Sequence, residues 1–389
     1  MRIFLLLCLC LQVTTVPAQT VGEAFIFPLQ EQHVHGSSIV ELPARGTAPG
    51  DLLAAWFQGS GERNADDVRI MGARFRNGQW SDPFLLADTP GIPDCNPVLF
   101  LNASNELFLV WIAVQANRWE HSVLRVLTTS DYHGNGAPRW TWQDNILLKP
   151  GDDFAREVEK GLKALPPTGH GWAEYAPPYD RSILAAAQDV AKRSFGWMTR
   201  IKPLLLPGGR IVLPLYSDGF NLSMMALSDD NGKTWRPGNP LVGRGPIQPA
   251  LALKKDGKLV AYLRDSGDAP NRVHYSESSD QGKTWTPSVK TDIPCKASVE
   301  VLVLQNGLWL LIVNDGDAGR ARLSLYVSDN EGQSWNSKYR LENRQEGSYS
   351  YPAIIQAADG RIHITYSFHP AGDRKTIKHV QIRPESLIP

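Results

Sequence analysis

An all-β fold, a six-bladed β-propeller with a helical insertion between blades two and three, is what this sequence predicts. Two periodicities and one interruption carry that reading. The octapeptide Ser228–Trp235 (SDDNGKTW) recurs as Ser278–Trp285 (SSDQGKTW) and as Ser328–Trp335 (SDNEGQSW), so the closing tryptophans fall 50 residues apart. A fixed period in this range marks a repeat architecture. Six apolar strands form the second series: Asp51–Phe57, Glu106–Ile112, Arg210–Tyr216, Lys258–Arg264, Leu308–Asn314 and Arg361–Ser367. Each follows a turn and, just upstream, a shorter apolar run: SSIVEL, NPVLFL, KPLLL, PALAL, VEVLVL and PAIIQ. Four strands per repeat, six times over, make a propeller. The period breaks only between Lys149 and Phe195.

The elements follow in chain order. Residues 1–18 read as a secretory leader, with Arg2 as its charged start, Ile3 to Leu11 as its apolar segment and small residues around Ala18. The apolar run is well short of the ~20 residues that a membrane span needs. A secreted or periplasmic chain is therefore expected, with no span in the mature protein. Only Cys95 and Cys295 would then remain, on blades at opposite sides of the ring, which favours two separate thiols over a bridge. Glu23–Leu29 alternates apolar and polar residues and pairs in expectation with Thr376–Ile382, closing the ring. Blade one runs from about His35 to Trp80 and blade two from Asn96 to Trp142, both with degenerate outer turns. Asp152–Leu165 and Arg181–Arg193 have helical composition, separated by proline-rich loops. They read as two helices inserted over the binding face. There Trp172, Tyr175 and Tyr179 either offer a sugar-stacking surface or fasten the insertion down. Blades three to six run on from Arg200.

With 40 basic and 40 acidic residues the chain has no cationic excess, so nucleic acid is not an expected partner. Its 42% hydrophobic content supports a large core, and a monomer is expected. The histidines and Cys95 do not have metal-ligand spacing, so neither metal nor cofactor is expected. Loops entering the innermost strands should gather His35, Asp94, Gln248, Glu300 and Tyr349 at the mouth of the central funnel.

The S-x-D-x-G-x-T-W turns resemble the Asp-box of the sialidase (neuraminidase) superfamily, and the blade pattern is similar to that superfamily's from about His35 to the C-terminus. The resemblance implies an exo-glycosidase that holds an acidic sugar on three arginines, with an acidic residue as acid/base and a tyrosine nucleophile activated by a glutamate. Arginine suits a carboxylate because it donates two parallel charge-assisted bonds. Tyrosine can attack an anomeric centre bearing a negative group without the repulsion a carboxylate would meet. By that resemblance Tyr349, followed by Ser350, stands for the nucleophile and Arg264 for the second arginine. Arg320, or less well Arg322, stands for the third, and Asp66 or Asp67 in the loop G-E-R-N-A-D-D for the acid. Arg63 of the same loop and Asp94 join the candidate binding residues. Arg264 and Arg320 read alternatively as blade-surface ion pairs, Tyr349 as a packed strand residue, and Asp66 and Asp67 as solvated loop acids. Glu300 points either into the channel or into a sheet contact.

Two positions depart from the superfamily pattern. His35 stands where its first arginine belongs. Gln248 stands where the glutamate that partners the tyrosine belongs, and an amide cannot act as a base. The reading is thus a secreted exo-glycosidase on a terminal acidic sugar, with slow turnover expected on ordinary sialosides. Two other readings stay open. One is a propeller lyase on uronic acids, using His35 as base, Tyr349 as acid and Arg264 as neutraliser. The other is a non-catalytic glycan-binding propeller.

Overall fold

A computed structural model describes residues 20–44, 50–166, 176–267, 269–316, 319–335 and 337–387. Six antiparallel sheets stand around one axis. Their innermost strands are His33–Glu41, Asp94–Leu101, Leu204–Leu205, Pro246–Leu253, Glu300–Val303 and Ser348–Gln356. Each sheet then builds outward by hairpins, as the repeat predicts. Blade one departs slightly. Its fourth strand is split, because Gln79–Trp80 and Phe84–Ala87 both pair with the third strand, Arg69–Arg76. The leader at 1–18 lies outside the described residues, and so do Trp172 and Tyr175. Among the described residues no helix is long and apolar enough to cross a membrane.

Ring closure is as expected, a few residues earlier in the chain. Thr20–Phe25 lies antiparallel to Thr376–Ile382 and supplies the outer strand of blade six. Blade six is therefore made from both ends of the chain.

The octapeptide turns work by a repeated bond pattern. In the first, Gly232 N donates to Ser228 Oγ at 2.9 Å, while Thr234 N and Oγ1 donate to the Asp230 carboxylate at 2.9 and 2.6 Å. Those bonds, the Thr234 hydroxyl foremost, hold the Asp230 carboxyl at about 2. The second copy repeats the pattern around Asp280, and the third runs through Asn330. Each glycine sits at positive φ and presses on the preceding blade. A Cβ on Gly232 would lie 2.7 Å from Phe108, and one on Gly332 would lie 2.1 Å from the Tyr262 hydroxyl. The motif therefore closes a hairpin and also seats it on its neighbour.

The insertion has three helices where two were expected: α1 (Asp153–Lys163), α2 (Ala176–Gln188) and α3 (Val190–Ser194). The expected second helix breaks at Asp189. This residue takes an extended backbone and turns its carboxylate onto Ala191 N and Lys192 N, making an N-cap inside the run. The face of α1 carrying Phe154, Val158 and Leu162 joins a core that also holds Ile183, Ala187 and Trp197. Gly161 lets α1 approach Val242 more closely than any side chain would allow. Tyr179 donates to Phe220 O at 3.5 Å and Arg244 pairs with Asp180 at 2.9 Å, so both tie α2 to the propeller. Of the two roles open to Tyr179, this contact supports fastening.

Arg193 is the buried anchor of the insertion. Its guanidinium donates to Pro150 O, Ala187 O and Gln188 O and reaches Asp152 at 2.6 Å. Arg193→Ala would strand those carbonyls, each worth about 1–3 kcal/mol when buried without a partner. We expect a net loss of about 3 kcal/mol in urea unfolding, partly offset by water entry. A variant as stable as the wild type would show that the insertion is held by its apolar face alone.

Candidate functional site

Four innermost strands share one irregularity. Their ladders slip between His35 and Ser38, Cys95 and Val98, Ile247 and Ala250, and Ser350 and Ala353. At each slip one residue has positive φ: Gly36 (65°), Asn96 (52°), Gln248 (54°) and Tyr351 (57°). The sequences there are G-S-S-I, N-P-V-L, Q-P-A-L and Y-P-A-I. In three of them proline follows, which removes an N–H that the interrupted ladder leaves unpaired. For a non-glycine residue the left-handed conformation costs about 1–2 kcal/mol, a strain that collects at functional sites. The bulges aim Asn96, Gln248 and Tyr351 into a central cavity of about 330 Å³.

Tyr351 is the centre of that cavity. Arg264 Nη1 donates to its hydroxyl at 3.0 Å and Gln248 Nε2 at 3.3 Å. The Arg200 guanidinium lies 4.7 Å from the ring centroid and that of Arg320 lies 5.6 Å away. Arg200 is fully enclosed and, among the described residues, donates to the carbonyls of Ser37 and Pro352. Burial alone would raise the Tyr351 phenol. The opposing charges of Arg264 and Arg320, with the Gln248 amide, outweigh it and leave the phenol below its ordinary value. Gln248 thus acts as a donor to the phenol oxygen and stabilises its ionised form.

Two carboxylates face this cationic cluster. Glu62, from the loop after the second strand of blade one, is pushed up by burial and by Asp218, and pulled back by Arg63 and Arg320. Asp218, reached by solvent but ringed by protein, is also pushed up by desolvation and pulled back by Arg264 and Arg63. A carboxyl raised in this way keeps its proton to higher pH than a free one, which suits a proton donor. His35 lies beside Tyr351, ring centroids 4.0 Å apart, with Nδ1 on Ser367 Oγ at 2.8 Å. Burial and the neighbouring His369, His33 and arginines keep it neutral. At the first-arginine position the cavity therefore offers a neutral ring.

The structure brings together only part of the expected set. His35, Gln248, Arg264 and Arg320 line the cavity. Tyr349 does not. Its ring packs on Phe368 at 4.9 Å in the blade-six core, so Tyr351 replaces it as the reactive candidate. Asp66 accepts from Asn117 at 2.9 Å. Asp67 caps Ser60, whose hydroxyl bond at 2.8 Å leads the interactions that hold its carboxyl low. Both lie outside the cavity, and Glu62 is the carboxylate of that loop that lines it. Arg63 lies over Trp119 at 5.4 Å, on the rim. Glu300 is buried against Lys202. Asp94 is a structural tie, accepting from Trp111 Nε1 at 2.7 Å and Thr89 N at 2.5 Å. Cys95 and Cys295 are separate buried thiols. The missed Tyr351 had a signal: S-Y-P-A-I aligns with I-Q-P-A-L and C-N-P-V-L, and so puts Tyr351 opposite Gln248 in the repeat.

Two measurements check this geometry. Ultraviolet titration should find one phenol ionising below about 10 that disappears in Tyr351→Phe. Arg264→Met should move it up, and so should Gln248→Glu, which swaps a donor for a like charge. No difference between wild type and Tyr351→Phe over that range would remove the cationic-activation argument. Separately, burial raises the Asp94 carboxyl to about 6 against the Trp111 and Thr89 bonds. A folded pKa above the unfolded one stabilises the fold fully below the unfolded value, and that contribution is lost as pH rises through the folded value. The stability difference between the wild type and Asp94→Asn should therefore shift by roughly 3 kcal/mol against the wild type between about pH 4 and above pH 6. Buried histidines such as His33 and His369, held near 4 chiefly by burial, titrate alike in both proteins and cancel in that difference. An equally steep slope in the variant would assign the loss elsewhere.

Comparison with known proteins places this chain in a family. The model of the BNR repeat-like domain matches residues 50–159 and 186–364, leaving out a stretch inside the helical insertion. A curated relative, the anhydrosialidase of Macrobdella decora, is 25% identical over 198 residues, which is 43% of this chain and 24% of that protein. The chain thus aligns with about a quarter of that relative's length. Among solved structures, a Dyadobacter fermentans protein of unknown function superposes with TM-score 0.67 at 16% identity, covering 94% of this chain and 99% of that one. The intramolecular trans-sialidase of Ruminococcus gnavus superposes with TM-score 0.62 at 14% identity, covering 91% and 95%. The chain belongs to the BNR repeat-like domain family, and its fold is that of the sialidases.

Proposed function

We propose that the funnel belongs to an exo-acting glycosidase that removes a terminal sugar bearing a carboxylate. The observation that carries this reading is the Tyr351 hydroxyl held by Arg264 at 3.0 Å within a cluster of three guanidiniums. A cavity of about 330 Å³ suits one pyranose. Arg264 and Arg320 receive the carboxylate. Tyr351 gives its proton to solvent, favoured by the arginines, and as the phenolate its Oη attacks the anomeric carbon while the glycosidic C–O bond breaks and the Glu62 proton passes to the leaving oxygen. Glu62, now a carboxylate, then takes a proton from an attacking nucleophile, and the bond to Tyr351 breaks. That nucleophile is water, giving the free sugar, or a hydroxyl of the same sugar, giving an anhydro product. The name of the anhydrosialidase relative motivates testing both. In this scheme the arginines do by charge what a glutamate base would do by proton transfer. The leader motif at the N-terminus supports action outside the cytoplasm.

The test is release of sugar from acidic-sugar glycosides, with product analysis by mass. Tyr351→Phe should lower kcat by at least about 10³-fold. Arg264→Ala should weaken binding of the acidic sugar by roughly 1.5–3 kcal/mol, the scale of a charged hydrogen bond. Turnover unchanged in Tyr351→Phe would end the nucleophile assignment. A product absorbing in the ultraviolet, from a new C=C bond, would instead assign a lyase.

A further inference from the structure

One wall of the funnel cavity is made of three imidazoles that the glycosidase scheme leaves idle. His33, His35 and His369 all line it. Their ring centroids lie 5.9 Å apart for His33 and His35, 5.6 Å for His35 and His369, and 6.3 Å for His33 and His369. The first two come from the innermost strand of blade one and His369 from the second strand of blade six, so the wall spans the junction of those blades. We propose that His35 is a further anchor for the sugar carboxylate, and that it gains its charge only when that carboxylate arrives, so that binding draws a proton from solution. The proposal rests on the acidic-sugar reading of the funnel.

The bonding of His35 suits such a change. Its Nδ1 lies 2.8 Å from Ser367 Oγ, and the same oxygen accepts from Gly36 N at 3.1 Å. A hydroxyl has one hydrogen and two lone pairs. With one lone pair taken by Gly36, Ser367 gives its hydrogen to a neutral Nδ1 or turns its second lone pair to a protonated one. Either state keeps its partner, and the ring need not move. Neither neighbour has that freedom. His369 Nε2 lies 2.6 Å from Val34 O, and a carbonyl only accepts, so the hydrogen of the neutral ring is fixed there. His33 Nε2 is buried without a partner among the described residues. A new N–H on either ring would find no protein acceptor waiting.

Charge holds the ring neutral while the cavity is empty. His33 faces it from its own strand and Phe57 from the next strand of blade one. Blade six supplies His369 and the Tyr351 phenol, and Arg320 and Arg200 bear on it as cations. Lys375 stands behind His33 and His369. Besides burial, every one of the charges acting on His35 opposes a proton. Glu62 and Asp218 line the same cavity, but their charges are answered by Arg63, Arg264 and Arg320. A carboxylate received by Arg320 offsets the guanidinium that opposes His35 and adds an attraction of its own. The ring then takes a proton, as imidazole does under a modest change of field. Affinity for an acidic sugar should therefore rise as pH falls, by at most about tenfold per pH unit for one proton taken up. A neutral sugar gains nothing.

The experiment is isothermal titration of the full chain with free glucuronic acid and N-acetylneuraminic acid, in two buffers of different ionisation heat. The difference between the two heats counts the protons taken up. At about pH 5.5 the wild type should take up close to one proton per sugar bound, and its affinity should rise roughly tenfold from about pH 7 to about pH 5. His35→Gln should take up none and bind with one affinity at both values. His33→Gln, His369→Gln and Glu62→Gln should keep the uptake. Nitrogen NMR of the histidine-labelled wild type reads the ring without any substitution: His35 should be neutral alone and doubly protonated with the sugar. Uptake that survives His35→Gln, or that vanishes in Glu62→Gln instead, overturns the proposal, and so does a His35 ring that stays neutral in the complex. Binding with no proton uptake also overturns it, and leaves the acidic-sugar reading standing. Failure of both sugars to bind at any pH in the range would sink that reading and this proposal with it.

Discussion

The chemistry of this protein depends on a backbone constraint at the axis of the ring. Regular strands running along the channel would present alternating side chains to it and to the blade cores. Bulges at Gly36, Asn96, Gln248 and Tyr351 break that alternation at one level and turn Asn96, Gln248 and Tyr351 toward the funnel. The strain is tolerated because each bulge sits in a sheet fixed on both sides by its neighbours. One level of one ring thereby becomes a site, and the rest of the propeller serves to hold that level rigid.

The electrostatics follow from what the bulges collect. Arg200, with carbonyls for partners, and Arg320 lie over the Tyr351 ring, and Arg264 bonds its hydroxyl. Guanidiniums gathered away from solvent are costly to maintain, even with Glu62 and Asp218 facing them. The cost is reduced if the phenol beside them gives up its proton, or if an anion enters. The same charges can therefore favour a reactive tyrosine in the empty site and hold a carboxylate in the filled one. Gln248 fits this arrangement better than a carboxylate would, since it adds a donor and no competing negative charge.

The fold was legible because its signals are local and repeated. Asp230, Gly232 and Trp235 mark a turn by their own chemistry, and two further copies set the period. The insertion was legible as an interruption, though Asp189 divides its last helix in a way that composition does not foretell. The site was half legible. Arg264 and Gln248 sit at fixed places in the repeat. Tyr349 and Tyr351 differ by two residues, so on a regular strand they would share a face, and only the bulge separates them. Glu62, Asp66 and Asp67 share one loop, where hydrogen bonds to Asn117 and Ser60 decide which carboxyl is left for the cavity. Nothing in the order of residues announces those bonds.

Blade six joins the first described strand to the last, Thr20–Phe25 to Thr376–Ile382. On the ribosome this has a consequence in time. The N-terminal strand emerges first and must wait for almost the whole chain before its partner exists. Until then one blade lacks its outer edge, and the channel is an open arc. The pairing is among the longest-range contacts the chain makes, the kind that slows folding and leaves strand edges exposed meanwhile. Because Tyr351 belongs to that same final blade, the funnel is also completed last. A chain stopped short of that blade lacks the complete funnel.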